Sequence, residues 1–243
     1  MLKKFFVIFI IILNVTSLSF GATILIDPGH GGEDKGAVAQ FKNQSFYEKD
    51  LALELSKNIY KKLKQKNFDV YLTRSIDRTV TLEERAELAE KIKADLFISI
   101  HMNSSRANKA NGFETYYLDN HNDKAVQKVE SVENINLQGE ALVVNQILVD
   151  LVIQQTAPRS RRLAQSIHVR LGQHLKKEFG MVNRGVKAAL FYVLALSKRP
   201  SVLLEVGFLS NEKELKRLNS DEFQDAYSSA VAAGIETYLK KVK

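Results

Sequence analysis

Two histidines and two glutamates stand beside strand-like segments of this chain, and their side chains could bind a metal ion. His30 follows the apolar run at 24–26, and His101 follows another at 96–100. Glu48 opens a helix-like segment after the first loop, and Glu205 lies in an apolar run that starts at residue 202. Imidazole and carboxylate groups are zinc ligands in proteins. Two of each suffice for the site of a zinc hydrolase.

A catalytic zinc ion needs its ligands and its base in separate roles. Such an ion takes three protein ligands and keeps a fourth position for water, whose pKa falls to about 7. We predict His30, Glu48 and His101 as the ligands. Glu205 is then the catalytic base, because the group that accepts the proton stays outside the ligand set. Ligands in open α/β sheets gather beyond the carboxyl ends of strands, so all four side chains should converge on one sheet edge.

Each of these residues also has an ordinary structural explanation. A histidine after a strand is often only a hydrogen-bonded residue, and Glu48 could simply favour a helix N-terminus through the dipole. The ordinary explanation is harder for Glu205, because a carboxylate within Val-Leu-Leu-Glu-Val must be paired or face a ligand if it is buried. The joint occurrence of the four residues therefore favours the metal site.

Six motifs of the chain together resemble the zinc-dependent N-acetylmuramoyl-L-alanine amidases of bacterial cell walls, the amidase-3 type. The motifs are ILIDPGHGG (24–32), EKD (48–50), LTR (72–74), FISIHMN (97–103), NRGVK (183–187) and LEVGFLSN (204–211). They follow the family's order, and the resemblance runs from about Ala22 to the C-terminus. It implies that the zinc ligands are His30, Glu48 and His101 and that Glu205 is the catalytic glutamate.

The resemblance also implies a reaction and a substrate. The enzyme would hydrolyse the amide between N-acetylmuramic acid and L-alanine in peptidoglycan, during wall remodelling or daughter-cell separation. The ligand set alone does not fix the scissile bond, so a cell-wall peptidase or deacetylase is an alternative. A non-catalytic wall-binding module is another, although its signature, the loss of a ligand or of the base, is not seen.

The N-terminus has the pattern of an export signal. Lys3 and Lys4 precede an apolar run at 5–13, and small residues lead to a cleavage point after Gly21 or Ala22. The run is too short to span a bilayer, so we expect residues 1–22 to be a signal peptide and no stable membrane anchor. The protein is thus predicted to be periplasmic or secreted. The chain has no cysteine, which excludes disulfides and thiolate ligands.

The charge balance favours an anionic polymer as partner. The chain has 35 basic and 28 acidic residues, a net charge of +7, of which Lys3 and Lys4 contribute two. Nucleic acid is not expected as a partner, because the basic residues are dispersed and lack interleaved aromatic residues that could stack on bases.

Alternating strand and helix patterns predict an α/β fold. Leu51, Leu55, Ile59 and Leu63 recur every four residues and indicate an amphipathic helix, and Thr81-Leu82-Glu83-Glu84 has the spacing of a capping box before a second helix. Strands are predicted at 23–26, 70–73, 96–100, 113–117 and 202–205, and long helices at 160–179 and 221–239. We expect residues 23–243 to form a single domain, with a mixed, largely parallel sheet flanked by helices on both faces.

Residues 119–158 interrupt this alternation and are too long for a plain loop. Family members that act in cell division carry a helical insertion here, which covers the active site and offers a glutamate to the zinc until an activator protein displaces it. By this resemblance we predict Glu133 as the autoinhibitory residue, with Glu130 as the second candidate. The alternative is a structural helical hairpin with solvated acidic residues.

Overall fold

A six-stranded sheet lies at the centre of the fold. The computed structural model describes residues 21–106, 109–134 and 140–242, with the backbone alone for 140–147. Its strands are β1 (Thr23–Pro28), β2 (Val38–Phe41), β3 (Gln44–Tyr47), β4 (Asp69–Leu72), β5 (Leu96–Asn103), β6 (Phe113–Leu118), β7 (Asn183–Ala189) and β8 (Ser201–Phe208). Its helices are α1 (Glu48–Lys64), α2 (Leu82–Lys91), α3 (Lys124–Glu133), α4 (Glu140–Phe179), α5 (Tyr192–Ser197), α6 (Glu212–Leu218) and α7 (Asp221–Lys241).

The order of the central sheet is β4-β1-β5-β8-β6-β7. All neighbouring strands run parallel except β6 and β8, which are antiparallel. The mixed, largely parallel sheet predicted from the sequence is therefore confirmed. Because β1, β5 and β8 are adjacent and parallel, their carboxyl ends meet at one edge, as the predicted site requires.

Helices cover both faces of the sheet, and two apolar clusters form the core. One cluster joins β1, β5 and β8 to α1, α7 and the second half of α4. The other joins the opposite face to α2, α5 and the first half of α4. The predicted helical periodicity is confirmed, since Leu51, Leu55, Ile59 and Leu63 are all buried. The capping box is also present, with reciprocal hydrogen bonds between Thr81 and Glu84.

One helix and one strand pair differ from the sequence-based expectation. The helix expected to start at residue 160 begins at Glu140 and passes through Pro158. The strands β2 and β3 form a hairpin that was not predicted. Its two-residue turn, Lys42-Asn43, has φ angles of +47° and +61°, as in a type I′ turn, but lacks the glycine by which such turns are usually recognised.

The predicted signal peptide falls almost wholly outside the described residues, since 1–20 are not described. No helix in the described part of the chain combines the length and the apolar character needed to cross a membrane.

Candidate metal centre

The loop after β1 presents His30 in a backbone conformation that few residues adopt. The φ angle of His30 is +56°, in the left-handed region. Gly31 follows with φ +133°, and a Cβ there would approach the carbonyl oxygen of Arg78 to 2.3 Å, so only glycine fits. The Asp34 Oδ2 atom lies 2.9 Å from His30 Nδ1. This contact assigns the ring proton to Nδ1 and leaves the lone pair of Nε2 available to a metal.

Two buried arginines fix this loop against the sheet. Arg85 pairs with Asp27 in β1 and donates a hydrogen bond to the carbonyl oxygen of His30 at 3.0 Å. Arg74 donates from Nη2 to the carbonyl oxygen of Gly29 and to one in the first turn of α1, each at 2.7 Å. The loop that carries His30 is thereby tied to β1, α1 and α2.

Glu48 is the first residue of α1 and is only 2 % exposed. Its Oε2 accepts the backbone N–H of Ala37 and its Oε1 that of Met102, each at 2.8 Å. Oε1 also lies 3.1 Å from His30 Nε2 and 3.2 Å from His101 Nδ1. The carboxylate thus points inward at the two imidazoles, and a favourable helix dipole alone does not account for that position.

A fourth side chain, Glu133, joins the cluster from the end of α3. Its Oε2 lies 2.9 Å from His101 Nδ1 and 3.6 Å from His30 Nε2. One ligand atom from each of the four residues lies within 4.8 Å of the other three. The structure therefore brings together His30, Glu48, His101 and Glu133.

The donor arrangement fits a tetrahedral zinc ion. Ligands bound at about 2.0–2.1 Å in a tetrahedron lie about 3.3–3.4 Å apart, and the contacts between the imidazole nitrogens and the carboxylate oxygens here range from 2.9 to 3.6 Å. His30 Nε2 and His101 Nδ1 are buried and make no hydrogen bond of acceptable geometry to the described residues. These nitrogens face carboxylate oxygens at ion-pair distance without an aligned hydrogen bond, and a cation at the centre of the cluster would satisfy both of them.

The cluster has strongly shifted pKa values. Burial disfavours a charged imidazole, yet the Glu48 carboxylate outweighs it and raises the pKa of His30 to about 10. Burial also opposes the charge on His101, but the negative charge of Glu133 raises the pKa of His101 well above its usual range. Burial would raise the pKa of Glu48, but His30 holds it below its usual range. Metal binding must therefore displace protons from both imidazoles.

Glu205 lies beside this cluster on β8, opposite His101 of β5 in the strand register. It is 1 % exposed, and neither carboxylate oxygen has a hydrogen bond to the described residues. Burial, followed by the charge of Glu133, raises the pKa of Glu205 well above its usual range. A carboxylate with a raised pKa binds a proton more strongly than an exposed one does, which suits a general base.

The end of α3 is fastened to the connection between β7 and α5. Asn134 donates from Nδ2 to the carbonyl oxygen of Leu190 at 2.8 Å and accepts the backbone N–H of Tyr192 at 3.0 Å. Glu130, the second candidate for the autoinhibitory residue, instead accepts the backbone N–H of Leu190 and lies 2.6 Å from His121 Nε2. These contacts hold Glu133 over the two imidazoles, and they give Glu130 a role in anchoring α3.

Comparison with known proteins identifies the family. Residues 24–237 match the family model described as N-acetylmuramoyl-L-alanine amidase. The chain belongs to this family. It is 33 % identical to the N-acetylmuramoyl-L-alanine amidase LytC of Bacillus subtilis over 90 % of its own length, and it spans 36 % of the length of LytC.

Solved structures of the amidase family share the fold. An N-acetylmuramoyl-L-alanine amidase from Clostridium difficile 630 is 30 % identical with a TM-score of 0.71, and the match covers 92 % of this chain and 99 % of that one. The CwlD amidase of Clostridioides difficile, solved in complex with the GerS lipoprotein, is 28 % identical with a TM-score of 0.70, and the match covers 91 % of this chain and all of that one. The predicted resemblance to the amidase family is therefore confirmed, and the chain is an enzyme of that family.

Sequence reasoning missed several residues around the site. Asp34, which orients His30, lies in a glycine-rich loop where no periodic pattern marks it. Arg184 and Lys187 were part of the NRGVK motif, but without the strand pairing nothing connected them to the cleft that contains Glu205.

Proposed function

We propose that this protein is a zinc-dependent amidase that hydrolyses the amide bond between N-acetylmuramic acid and L-alanine in peptidoglycan. The observation that carries the proposal is the convergence of His30, Glu48 and His101, with two buried ring nitrogens that have no aligned hydrogen bond, beside the buried carboxyl group of Glu205. Family membership supports the assignment of this bond as the one that is cleaved.

His30, Glu48 and His101 would hold the zinc ion. When bound, zinc would polarise the scissile carbonyl and lower the pKa of a water molecule. Glu205 accepts the proton of the attacking water and returns it to the departing amine of L-alanine. In its ionised form it is a stronger base than an exposed carboxylate, because burial favours the neutral carboxyl group that results when it accepts the proton. No covalent acyl-enzyme forms in this mechanism, because water is the nucleophile.

Glu133 acts as an autoinhibitory residue in this proposal. Catalytic zinc sites keep one position open, whereas four protein ligands close the tetrahedron, as in structural sites. The Glu133 carboxylate lies where the fourth ligand of the cluster would be, close to both imidazoles. An activator protein would displace α3 and open that position. The neighbour CwlD was solved with a lipoprotein, which supports a protein partner as the activator class.

Residues 1–22 direct export in this proposal, and the protein acts in the periplasm or outside the cell. Peptidoglycan is its partner there, in wall remodelling or daughter-cell separation. The amidase family acts on a wall polymer, which supports an extracytoplasmic location.

The test is digestion of purified peptidoglycan by the mature wild-type chain, Glu133→Ala and the double variant Glu133→Ala/Glu205→Gln, with products read by mass spectrometry. We expect Glu133→Ala to release intact stem peptides with a free L-alanine amine. The double variant should be slower than Glu133→Ala by about 100-fold or more, since general-base catalysis contributes about 10²–10⁴-fold to the rate. A chelator should abolish activity and zinc should restore it.

Two further results would decide against the proposal. Cuts at another bond by Glu133→Ala would indicate a peptidase or deacetylase, and binding of the polymer without any product would indicate a wall-binding module. The metal content is the control for Glu205→Gln: because Glu205 is not a ligand, the variant should still bind one zinc ion per chain. Equal activity of Glu133→Ala and wild type would reject autoinhibition by Glu133.

A further inference from the structure

Strand β7 contains a bulge at the rim of the cleft. Between Phe113 and Thr115 of β6, the paired residues of β7 advance from Asn183 to Val186, so β7 has one extra residue. Gly185 lies in the bulge with φ +90°, and no atom of the described residues lies within 4 Å of the position a Cβ would take. Glycine is therefore required for its backbone conformation rather than for space. Bulges of this kind redirect side chains and are frequent beside active sites.

The bulge brings two cations to the same atom. Residues three apart in a regular strand, such as Arg184 and Lys187, point to opposite faces. Here Arg184 Nε donates a hydrogen bond to Glu114 Oε1, and Lys187 Nζ lies 3.2 Å from the same oxygen. Glu114 is 1 % exposed and sits opposite Glu205 in the register of β6 and β8. Glu205 lies on β8 and Glu114 on the adjacent strand β6. The two cations lie on β7, the next strand after β6.

Two cations contact the single carboxylate of Glu114, although the charge of Arg184 also reaches Glu214 and that of Lys187 reaches Asp123. Glu114 contributes one negative charge, and its second oxygen already accepts the hydroxyl of Tyr116. Either Arg184 or Lys187 alone would neutralise Glu114. The side chain of Arg184 is 37 % exposed and that of Lys187 is 24 % exposed. Both line the cleft that contains His30, Glu48 and His101. Both cations therefore face the space that a substrate would fill.

The two cations are also held in place before any ligand arrives. The Arg184 guanidinium lies over the ring of Phe208 at 5.2 Å, and the Lys187 ammonium lies 5.9 Å from the centre of the Tyr116 ring. Among the described residues, the hydrogen bond of Arg184 uses Nε alone. The two terminal nitrogens remain for a planar anion such as a carboxylate, which a guanidinium binds in a bidentate manner.

We propose that Arg184 and Lys187 form a specificity subsite for a carboxylate of the stem peptide, and the proposal rests on the amidase function proposed above. Strand spacing places the β7 backbone about 10 Å from β8, which carries Glu205. In peptidoglycan the residue after L-alanine is D-glutamate, whose α-carboxyl group is free in some walls and amidated in others. That group lies about 8 Å or less from the scissile carbonyl, estimated from Cα–Cα steps of about 3.8 Å. The D-glutamate α-carboxylate is therefore the group we assign to this pair.

The test compares two soluble muropeptides that differ only in the free or amidated α-carboxyl group of D-glutamate. The proteins are Glu133→Ala and the same chain with Arg184→Gln, Lys187→Gln or Arg184→Lys added. For the free carboxylate we expect each Gln variant to lose about 10- to 100-fold in kcat/KM, as for hydrogen bonds to charged groups. For the amidated substrate the loss should stay within about threefold. Arg184→Lys should recover part of the loss, because the charge returns without the bidentate geometry.

Arg199→Gln is the matched control, since Arg199 precedes β8 at the opposite end of the strand and pairs with Glu90. It should change neither substrate's kcat/KM. Equal losses of kcat/KM on both substrates would mean that Arg184 and Lys187 only position Glu114. No loss on either substrate would mean that the pair takes no part in recognition. Both results overturn the subsite and leave the amidase function intact. Cleavage of neither substrate by Glu133→Ala would reject the amidase function and the subsite with it.

Discussion

At the scale of single residues, the site depends on the hydrogen bonds that orient each imidazole and carboxylate of the cluster. The sequence was sufficient to predict that His30, Glu48 and His101 come together, because each follows or opens a regular element at one sheet edge. It was not sufficient for Asp34, whose contact with His30 depends on left-handed backbone angles in the loop that follows β1. Such angles are set by tertiary contacts and leave no periodic trace.

Asp34 provides a residue-scale prediction. Its Oδ2 contacts His30 Nδ1 and its Oδ1 accepts the backbone N–H of Gly36 at 3.0 Å, so both oxygens are used. An asparagine side chain has one acceptor oxygen and cannot make both contacts, so Asp34→Asn should weaken zinc affinity about 10- to 100-fold. A competition titration with a chromogenic chelator measures this, and activity should return largely at saturating zinc. Glu33→Gln, on an exposed neighbour, is the control; an Asp34→Asn affinity equal to that of the control would contradict the orienting role.

At the scale of elements, the patterned strands and helices were predictable and the boundary of α4 was not. Proline in a helix interior removes a backbone hydrogen bond and costs about 3 kcal/mol. A helix boundary at Pro158 was therefore a reasonable expectation. The helix continues because it is anchored on both sides of Pro158. Ile153 and Ala157 pack in one apolar cluster, and Leu163 and Ile167 pack in the other. Burial in two cores outweighs a local preference that the sequence shows clearly.

The end of α3 gives the prediction at this scale. Asn134→Ala removes two hydrogen bonds that fasten α3 beside Leu190 and Tyr192, which should destabilise the docked helix by about 1–3 kcal/mol. If Glu133 blocks the site, basal amidase activity should rise about 5-fold or more, as a loss of about 1 kcal/mol or more implies. The same change in a Glu133→Ala chain should have no further effect, because the blocking carboxylate is already absent. Ser131→Ala on the same helix is the control. An unchanged rate for Asn134→Ala would mean that the hydrogen bonds of Asn134 do not contribute to inhibition.

At the scale of the whole molecule, buried polar contacts join the elements that the sheet brings together at its centre. Asp27 of β1 accepts hydrogen bonds from Thr73 Oγ1 at 2.7 Å and Ser99 Oγ at 2.8 Å, and it pairs with Arg85 of α2. The parallel neighbours of β1 could be expected from the alternation of strands and helices. The antiparallel pairing of β6 with β8 could not, because strand direction depends on a long connection whose course the hydrophobic pattern does not specify.

The Asp27–Arg85 pair predicts how the stability of the whole molecule depends on pH. Burial would raise the pKa of Asp27, but Arg85 and the hydroxyl donors lower it below its usual value of 3.8. A depressed folded-state pKa means that the carboxylate stabilises the fold above the unfolded-state pKa and that this contribution is lost as pH falls through the folded-state pKa. Asp27→Asn leaves Arg85 buried without its counter-charge, so we expect a loss of about 3–5 kcal/mol in the free energy of unfolding at about pH 7.

Urea unfolding at about pH 7 and at about pH 3 measures both parts of that prediction. The gap between wild type and Asp27→Asn should narrow at the lower pH, because about pH 3 lies below the unfolded-state pKa of about 3.9 and the contribution of the wild-type carboxylate is then partly lost. Asp225→Asn is the control, because Asp225 is 68 % exposed and pairs with Lys62 at the surface, where a pair contributes about 1 kcal/mol or less. A gap for Asp27→Asn that stays constant between the two pH values would mean that packing and neutral hydrogen bonds, rather than the charge pair, join β1 to α2.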